Sequence, residues 1–326
     1  MRVNALARQS LQVVSASDAQ CRRNVTFTRA DQIEPKPVDW LIENWIARDS
    51  LVGIVGQPGS CKSFLALDLA CRVATGTPWH GCSVRRGQVF LLAGEGIGGL
   101  RKRIRAWEIF NRITIAGAPL YIASSLPGLT DPNNVIAVAD AITEEADKAF
   151  FADGAIDPAL IVVDTLARAM HGANENDAGD MGRFIAAMDL LRCRWGATVI
   201  AIHHSGHGEG SQERARGSSA FRAALDSEFV MKSGRDGITV RTTKAKDWEP
   251  PDPLTLKKVT VPLVTTVGHV VGQPETSLVL ADGTVGGTDK ERRGEVAKLR
   301  QEGLTLRKIV DQTGIPLSTV ARWIRG

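Results

Sequence analysis

The stretch Leu51 to Ser63, LVGIVG followed by QPGSCKS, constrains the fold of this chain more than any other. A short apolar run closed by glycine reads as a buried strand, and Phe64, Leu67, Cys71 and Ala74 then recur at helical spacing. Strand, glycine turn and helix in that order make a phosphate-binding loop. Successive main-chain N–H groups and the positive end of the helix hold anionic oxygens there. Lys62 reaches the β- and γ-phosphates of a nucleotide, and the Ser63 hydroxyl ligates Mg²⁺. The residues expected to hold ATP are therefore Gly56, Gln57, Pro58, Gly59, Ser60, Cys61, Lys62, Ser63 and Phe64. Cys61 stands where such loops normally carry glycine, and a Cβ at positive φ costs on the order of 1 kcal/mol or more. Binding is expected to survive, because the donors are main-chain groups and a small side chain can point away.

Further apolar runs follow at Val89–Ala93, Leu120–Ala123, Leu160–Val163 and Thr198–Ile202, separated by helix candidates at Leu100–Phe110, Val135–Phe151 and around Phe184–Leu191. Strands alternating with helices predict a mostly parallel sheet covered on both faces. After Arg216 the text turns strand-rich, at Glu228–Met231, Ile238–Thr242, Leu254–Val261 and Ser277–Leu280, with Asp236-Gly237 and Asp282-Gly283 as turns. This predicts an antiparallel extension of the same sheet. Chemistry gathers at the strand ends. Asp164 closes an apolar run and suits water-mediated support of Mg²⁺. Glu95, between Gly94 and Gly96, suits a base that orients and deprotonates an attacking water, or else a solvated loop acid. His203 and His204 end another run, where either is a γ-phosphate donor or a structural histidine.

The chain has 326 residues, 43% hydrophobic and 23% charged, the composition of an ordinary globular protein. No apolar run is long enough for a membrane helix, and the first residues lack the apolar stretch of a secretory signal. Five scattered cysteines, Cys21, Cys61, Cys71, Cys82 and Cys193, with no C-x-x-C pair, predict a reducing cytoplasm and no structural zinc. Charge is unevenly placed. Residues 290–326 carry nine Lys/Arg against four acids, whereas the net charge of the whole chain is only +4. Such a basic module is either an attractor of nucleic-acid phosphates or a solvated basic face. Expected boundaries are an extension over residues 1–35, partly disordered; an ATPase domain over 36–281; a glycine-rich linker over 282–289; and a small domain over 290–326.

The ordered set GQPGSCKS, GEG, IVVDT, IHH and Arg216-Gly217-Ser218-Ser219 resembles the RecA-like ATPases of the RepA replicative-helicase type, relatives of DnaB and KaiC. The stretches VDWLIENWI and FLALDLACRVATGTPWHG resemble phage and plasmid members in particular, and the likeness covers roughly residues 36–285. It implies an α/β fold: a RecA-like P-loop NTPase core with a mostly parallel sheet covered by helices and an antiparallel extension. It implies Lys62 and Ser63 on phosphates and Mg²⁺, Glu95 as catalytic base, Asp164 as the metal-supporting acid and His204 or His203 as sensor. Lys244-Ala245-Lys246 falls where DnaB-like proteins place a Lys-x-Arg pair that enters the neighbouring subunit's site, with Arg216 an alternative; an exposed basic strand is the plainer reading. Lysine at 246 lacks the fork of arginine, which implies slower hydrolysis. Cations acting in trans imply a homo-oligomeric ring, a hexamer in this family. The family's channel loop falls at Ser205–Ala215, where Arg214 is the one clear cation for single-stranded DNA.

The tail has apolar residues at 306, 309 and 310, glycine at 314 and apolar residues again at 317, 320 and 324. That is a helix-turn-helix pattern, with Pro316 in the first turn of the second helix. It resembles the small all-α domains of resolvase-type recombinases. Ser318, Thr319 and Arg322 then face the groove of duplex DNA, and Arg307, Lys308 and Arg325 serve phosphates. A protein-binding helical cap is the alternative.

Overall fold

The computed structural model describes residues 27–94, 97–153, 157–205, 219–234, 237–263, 275–283, 289–306, 308–309, 320 and 323–324. A small antiparallel hairpin, β1 (Trp40–Ile42) and β2 (Ile46–Ala47), precedes the main sheet. The sheet has nine strands: β3 (Leu51–Gly56), β4 (Gln88–Ala93), β5 (Leu120–Ile122), β6 (Pro158–Asp164), β7 (Thr198–His204), β8 (Ser227–Gly234), β9 (Gly237–Ala245), β10 (Leu254–Pro262) and β11 (Thr276–Asp282). Their spatial order is β11-β10-β9-β8-β3-β7-β6-β4-β5. The six strands from β8 to β5 run parallel, and β9, β10 and β11 add on antiparallel.

The helices are α1 (Lys62–Thr75), α2 (Ile97–Asn111), α3 (Pro132–Asp153), α4 (Leu166–Ala169), α5 (Ala178–Trp195), α6 (Ser219–Ala224) and α7 (Asp289–Gln301). Successive strand residues point to opposite faces, so each parallel strand feeds two cores. Val52, Ile54, Leu160, Val162, Ile200 and Ile202 pack with α1 and α2. Leu51, Ile161, Val163, Val199 and Ala201 pack with α3, α5 and α6. The first core also takes Ile238, Val240, Leu256, Val261, Val279 and Leu280, so the antiparallel strands curl over the side that carries α1. Ten of the fourteen residues of α1 are buried.

The hairpin answers to VDWLIENWI, which the sequence reading left without an element: Leu41, Ile42, Trp45 and Ile46 are all buried in the α1 core. Asp282 ends β11 and Asp289 begins α7; residues 284–288 of the expected linker lie outside the described residues. In the C-terminal module Val296, Ile309 and Val320 form a separate small core, with Leu299, Leu304, Leu306, Trp323 and Ile324 packed against it. The helix α7 therefore joins the two-helix pattern read from the sequence, and the whole is a mixed α/β protein with a C-terminal helix-turn-helix domain. The residues expected to read DNA, Arg307, Ser318, Thr319, Arg322 and Arg325, lie outside the described residues; Lys308 is described and exposed.

Candidate functional site

The site is built on the carboxyl end of β3, where the chain leaves the sheet and turns into α1. Ser60 N–H donates to the Gln57 carbonyl at 3.1 Å, closing the turn. Gly59 has φ +78° and Cys61 φ +65°. Cys61 therefore occupies the left-handed region that glycine normally supplies, and the N–H groups of Phe64 and Leu65 donate to its carbonyl to start α1. Gly56 is fixed by space: a Cβ there would lie 2.6 Å from both the Met231 carbonyl oxygen and Ser60 Oγ.

A cavity of about 300 Å³ opens beside this turn, lined by Pro58, Gly59, Cys61 to Phe64, Arg103, Thr165 and His204. Lys62 is 5% exposed, and its ammonium donates to the carbonyls of Gly56 at 2.8 Å and Gln57 at 2.9 Å. His204 Nδ1 stands 3.4 Å from the same nitrogen. Burial holds the Lys62 ammonium below its ordinary range, at about 8, against the opposing pull of the Asp164 carboxylate. A bound triphosphate would add negative charge beside this buried cation.

The two histidines part company through strand alternation. His203 is fully buried with its ring 5.6 Å from that of Phe221, in the core on the far face, while His204 faces the loop. Register places His204 opposite Gly56 and Asp164 opposite Ala93. Gly94 N–H donates to the Asp164 carbonyl at 2.6 Å, tying the tip of β4 to the end of β6. Glu95 comes next in the chain but lies outside the described residues, as does Arg216. The chemistry of the set fits Mg²⁺: a hydroxyl at Ser63 beside the phosphate space, and a carboxylate at Asp164 close enough to act on Lys62.

The Lys244 and Lys246 pair lies at the other end of the sheet. Ala245 pairs with Ser227, which pairs with Val52 near the start of β3, so neither lysine approaches the loop of its own chain. Lys244 Nζ donates to the carbonyls of Arg222 and Ala223, both at 2.9 Å, at the end of α6. Lys246 pairs with Asp226 at 3.0 Å.

Sequence reading missed Arg103 and Thr165. Thr165 follows the apolar run of β6 and closes IVVDT, but the sequence reading gives it no role. Arg103 reaches the cavity through a ladder between α1 and α2 in which the partners keep a constant offset. Arg103 lies over the Phe64 ring at 4.7 Å, Trp107 Nε1 donates to Asp68 at 2.6 Å, and Arg72 donates to Asn111 at 2.6 Å. Each rung is four residues beyond the last on both helices, so the helices run parallel with these faces together. The buried Asp68 carboxylate also accepts from Trp79 Nε1 at 2.9 Å and Arg72 Nε at 3.3 Å. The signal was present as Arg103 and Trp107 at i, i+4, but their partner helix was not readable.

Comparison with known families gives two matches. A family described as an AAA domain matches residues 16–210, and one described as a homeodomain-like domain matches residues 288–326. Among the described residues no helix is long and apolar enough to cross a membrane.

Proposed function

We propose that this chain, which belongs to the AAA-domain family of P-loop ATPases, is a RepA-type motor that hydrolyses ATP with Mg²⁺ between subunits of a hexameric ring and moves on single-stranded DNA. A nucleotide-binding ATPase domain joined to a homeodomain-like DNA-binding domain makes a nucleotide-dependent, DNA-related function. The observation that carries the reading is the convergence of Lys62, Ser63, His204 and Thr165 on one cavity at the end of β3.

In this reading the loop N–H groups and Lys62 grip the phosphates, and Ser63 and Asp164 would hold Mg²⁺, which would supply charge neutralisation there. Glu95 takes the proton of the attacking water, and His204 donates to the γ-phosphate. His203 is set aside for the sensor role because its ring is buried on the other face. Arg103 stands at the cavity mouth as a further cation. Lys244, Lys246 and Arg216 serve the neighbour's site. The C-terminal domain holds duplex DNA while the ring works on the single strand.

A second reading, a regulatory switch that assembles with nucleotide without unwinding, is favoured by one observation. Lys244 and Lys246 are already engaged within their own chain, which leaves less cationic help for a neighbour's γ-phosphate. ATPase rate with and without single-stranded DNA, beside Glu95→Gln, separates the two. Stimulated turnover lost in the variant supports the motor, DNA-independent turnover supports the switch, and absence of any turnover refutes both.

A further inference from the structure

Glu228 is a fully buried carboxylate with no part in the steps proposed above. It lies on β8, opposite Lys244 of β9 and beside Gly53 of β3, and it does not line its own chain's phosphate cavity. One oxygen, Oε2, accepts from Arg222 Nε at 3.0 Å and from Thr243 Oγ1. The other, Oε1, is buried with no partner among the described residues. Taking a carboxylate out of water is costly, and a half-satisfied one seldom stabilises a fold. An apolar side chain at this position would serve packing better.

What this carboxylate does hold is an arginine. Arg222, on the short helix α6, keeps 42% of its side chain exposed, and neither terminal nitrogen has a partner among the described residues. Attachment through Nε fixes the direction of the guanidinium and leaves both terminal nitrogens for a second acceptor. Lys244 braces the same turn from the main chain, donating to the carbonyls of Arg222 and Ala223. Burial, with repulsion from Lys246 and Arg222, holds the Lys244 ammonium below its ordinary range against the pull of Asp226 and Glu228. Three cations meet two carboxylates here, which leaves room for an incoming anion.

We propose that Glu228 is a positioning residue that presents Arg222 to the nucleotide of the neighbouring subunit, where the guanidinium binds γ-phosphate oxygens in trans. The inference rests on the ring proposed above and deepens it. Lys246 is a point charge already paired with Asp226, so the planar fork that suits two phosphate oxygens is missing from the Lys244 and Lys246 pair. Arg222 stands beside that pair, held by its head through Glu228 and by its main chain through Lys244. Charge building on the γ-phosphate is then met by a group that needs no reorientation.

Steady-state ATPase assays of the full chain, beside sedimentation velocity, test it. Arg222→Lys, which keeps a cation near Glu228, should lower kcat at least about a hundredfold and change KM for ATP less than about threefold. Glu228→Gln keeps an acceptor for Arg222 and Thr243 and should lower kcat about tenfold. Added to Arg222→Lys it should cause no further loss, whereas a merely structural carboxylate would add its own. Arg222→Lys subunits mixed with Lys62→Met subunits should regain turnover, up to about a quarter of the natural rate, because about one interface in four then joins an intact loop to an intact arginine. Should Arg222→Lys fail to fold, Arg222→Gln combined with Glu228→Gln removes the stranded charge and takes its place, with the same expected loss. Natural turnover in the Arg222 variant overturns the proposal and leaves the ring standing, as does a mixture no more active than its parts. A natural chain that stays monomeric with ATP refutes ring and arginine together.

Discussion

The buried ammonium of Lys62 couples nucleotide affinity to pH in a way that ordinary surface lysines do not. Burial pushes its pKa down, to about 8. A triphosphate, already ionised above about pH 7 because terminal phosphates titrate near 6, restores the charged form. Binding above pH 8 therefore takes up a proton, and each further pH unit lowers the charged fraction of the free site about tenfold. Affinity at pH 9 should be roughly a tenth of that at pH 7, about 1.4 kcal/mol. Stability moves the other way. An unfolded lysine titrates near 10.4, so between pH 8 and that value the unfolded chain binds more protons and the folded chain gains stability as pH rises. The cost of the buried charge is fully present below pH 8 and is relieved by about 3 kcal/mol once pH passes the unfolded value. Fluorescent-nucleotide titrations from pH 7 to 9.5 at constant ionic strength, with urea melts over the same range, give both slopes. Lys62→Met should flatten the stability change. A nucleotide affinity that stays level across that range refutes the reasoning.

Three other outcomes follow from the geometry. Asp68→Asn keeps one acceptor oxygen and puts an NH₂ donor in place of the other, so one of the indole N–H groups of Trp79 and Trp107 loses its acceptor and Arg72 loses its charge partner, at a cost of about 2–4 kcal/mol by urea denaturation; a loss under about 0.5 kcal/mol speaks against the clasp. Arg103→Ala should weaken nucleotide binding about fivefold, near 1 kcal/mol, with the melting temperature little changed; equal affinity removes Arg103 from the site. Deleting residues 290–326 should weaken duplex DNA binding and flatten its salt dependence by several units of slope, while nucleotide binding is untouched. DNA binding that survives the deletion assigns that module to assembly.

What was legible followed from local physics. Strands buried on both faces, such as Leu160–Val163 and Thr198–Ile202, stand out as unbroken apolar runs, and the phosphate loop announces itself because main-chain donors need glycines at set offsets. The hairpin of Trp40–Ile42 with Ile46–Ala47 was hidden because its strands are too short for a period to show. The same holds for α4 and α6, of four and six residues. The choice between His203 and His204 was decidable by parity, since Ile200 and Ile202 share a face with His204, but only once it was known which face α1 covers. Arg103 depends on a partner helix far away in the chain, information that no local pattern holds.

The helix that starts at Lys62 is clad by apolar neighbours on nearly every side, with its one buried carboxylate bolted to two tryptophans. A rod gripped in that manner has no free direction in which to tilt. In the proposed cycle the floor of the phosphate site would stay put as nucleotide comes and goes, like an anvil under changing blows. Any stroke the cycle delivers has to be carried by the segments hung around it.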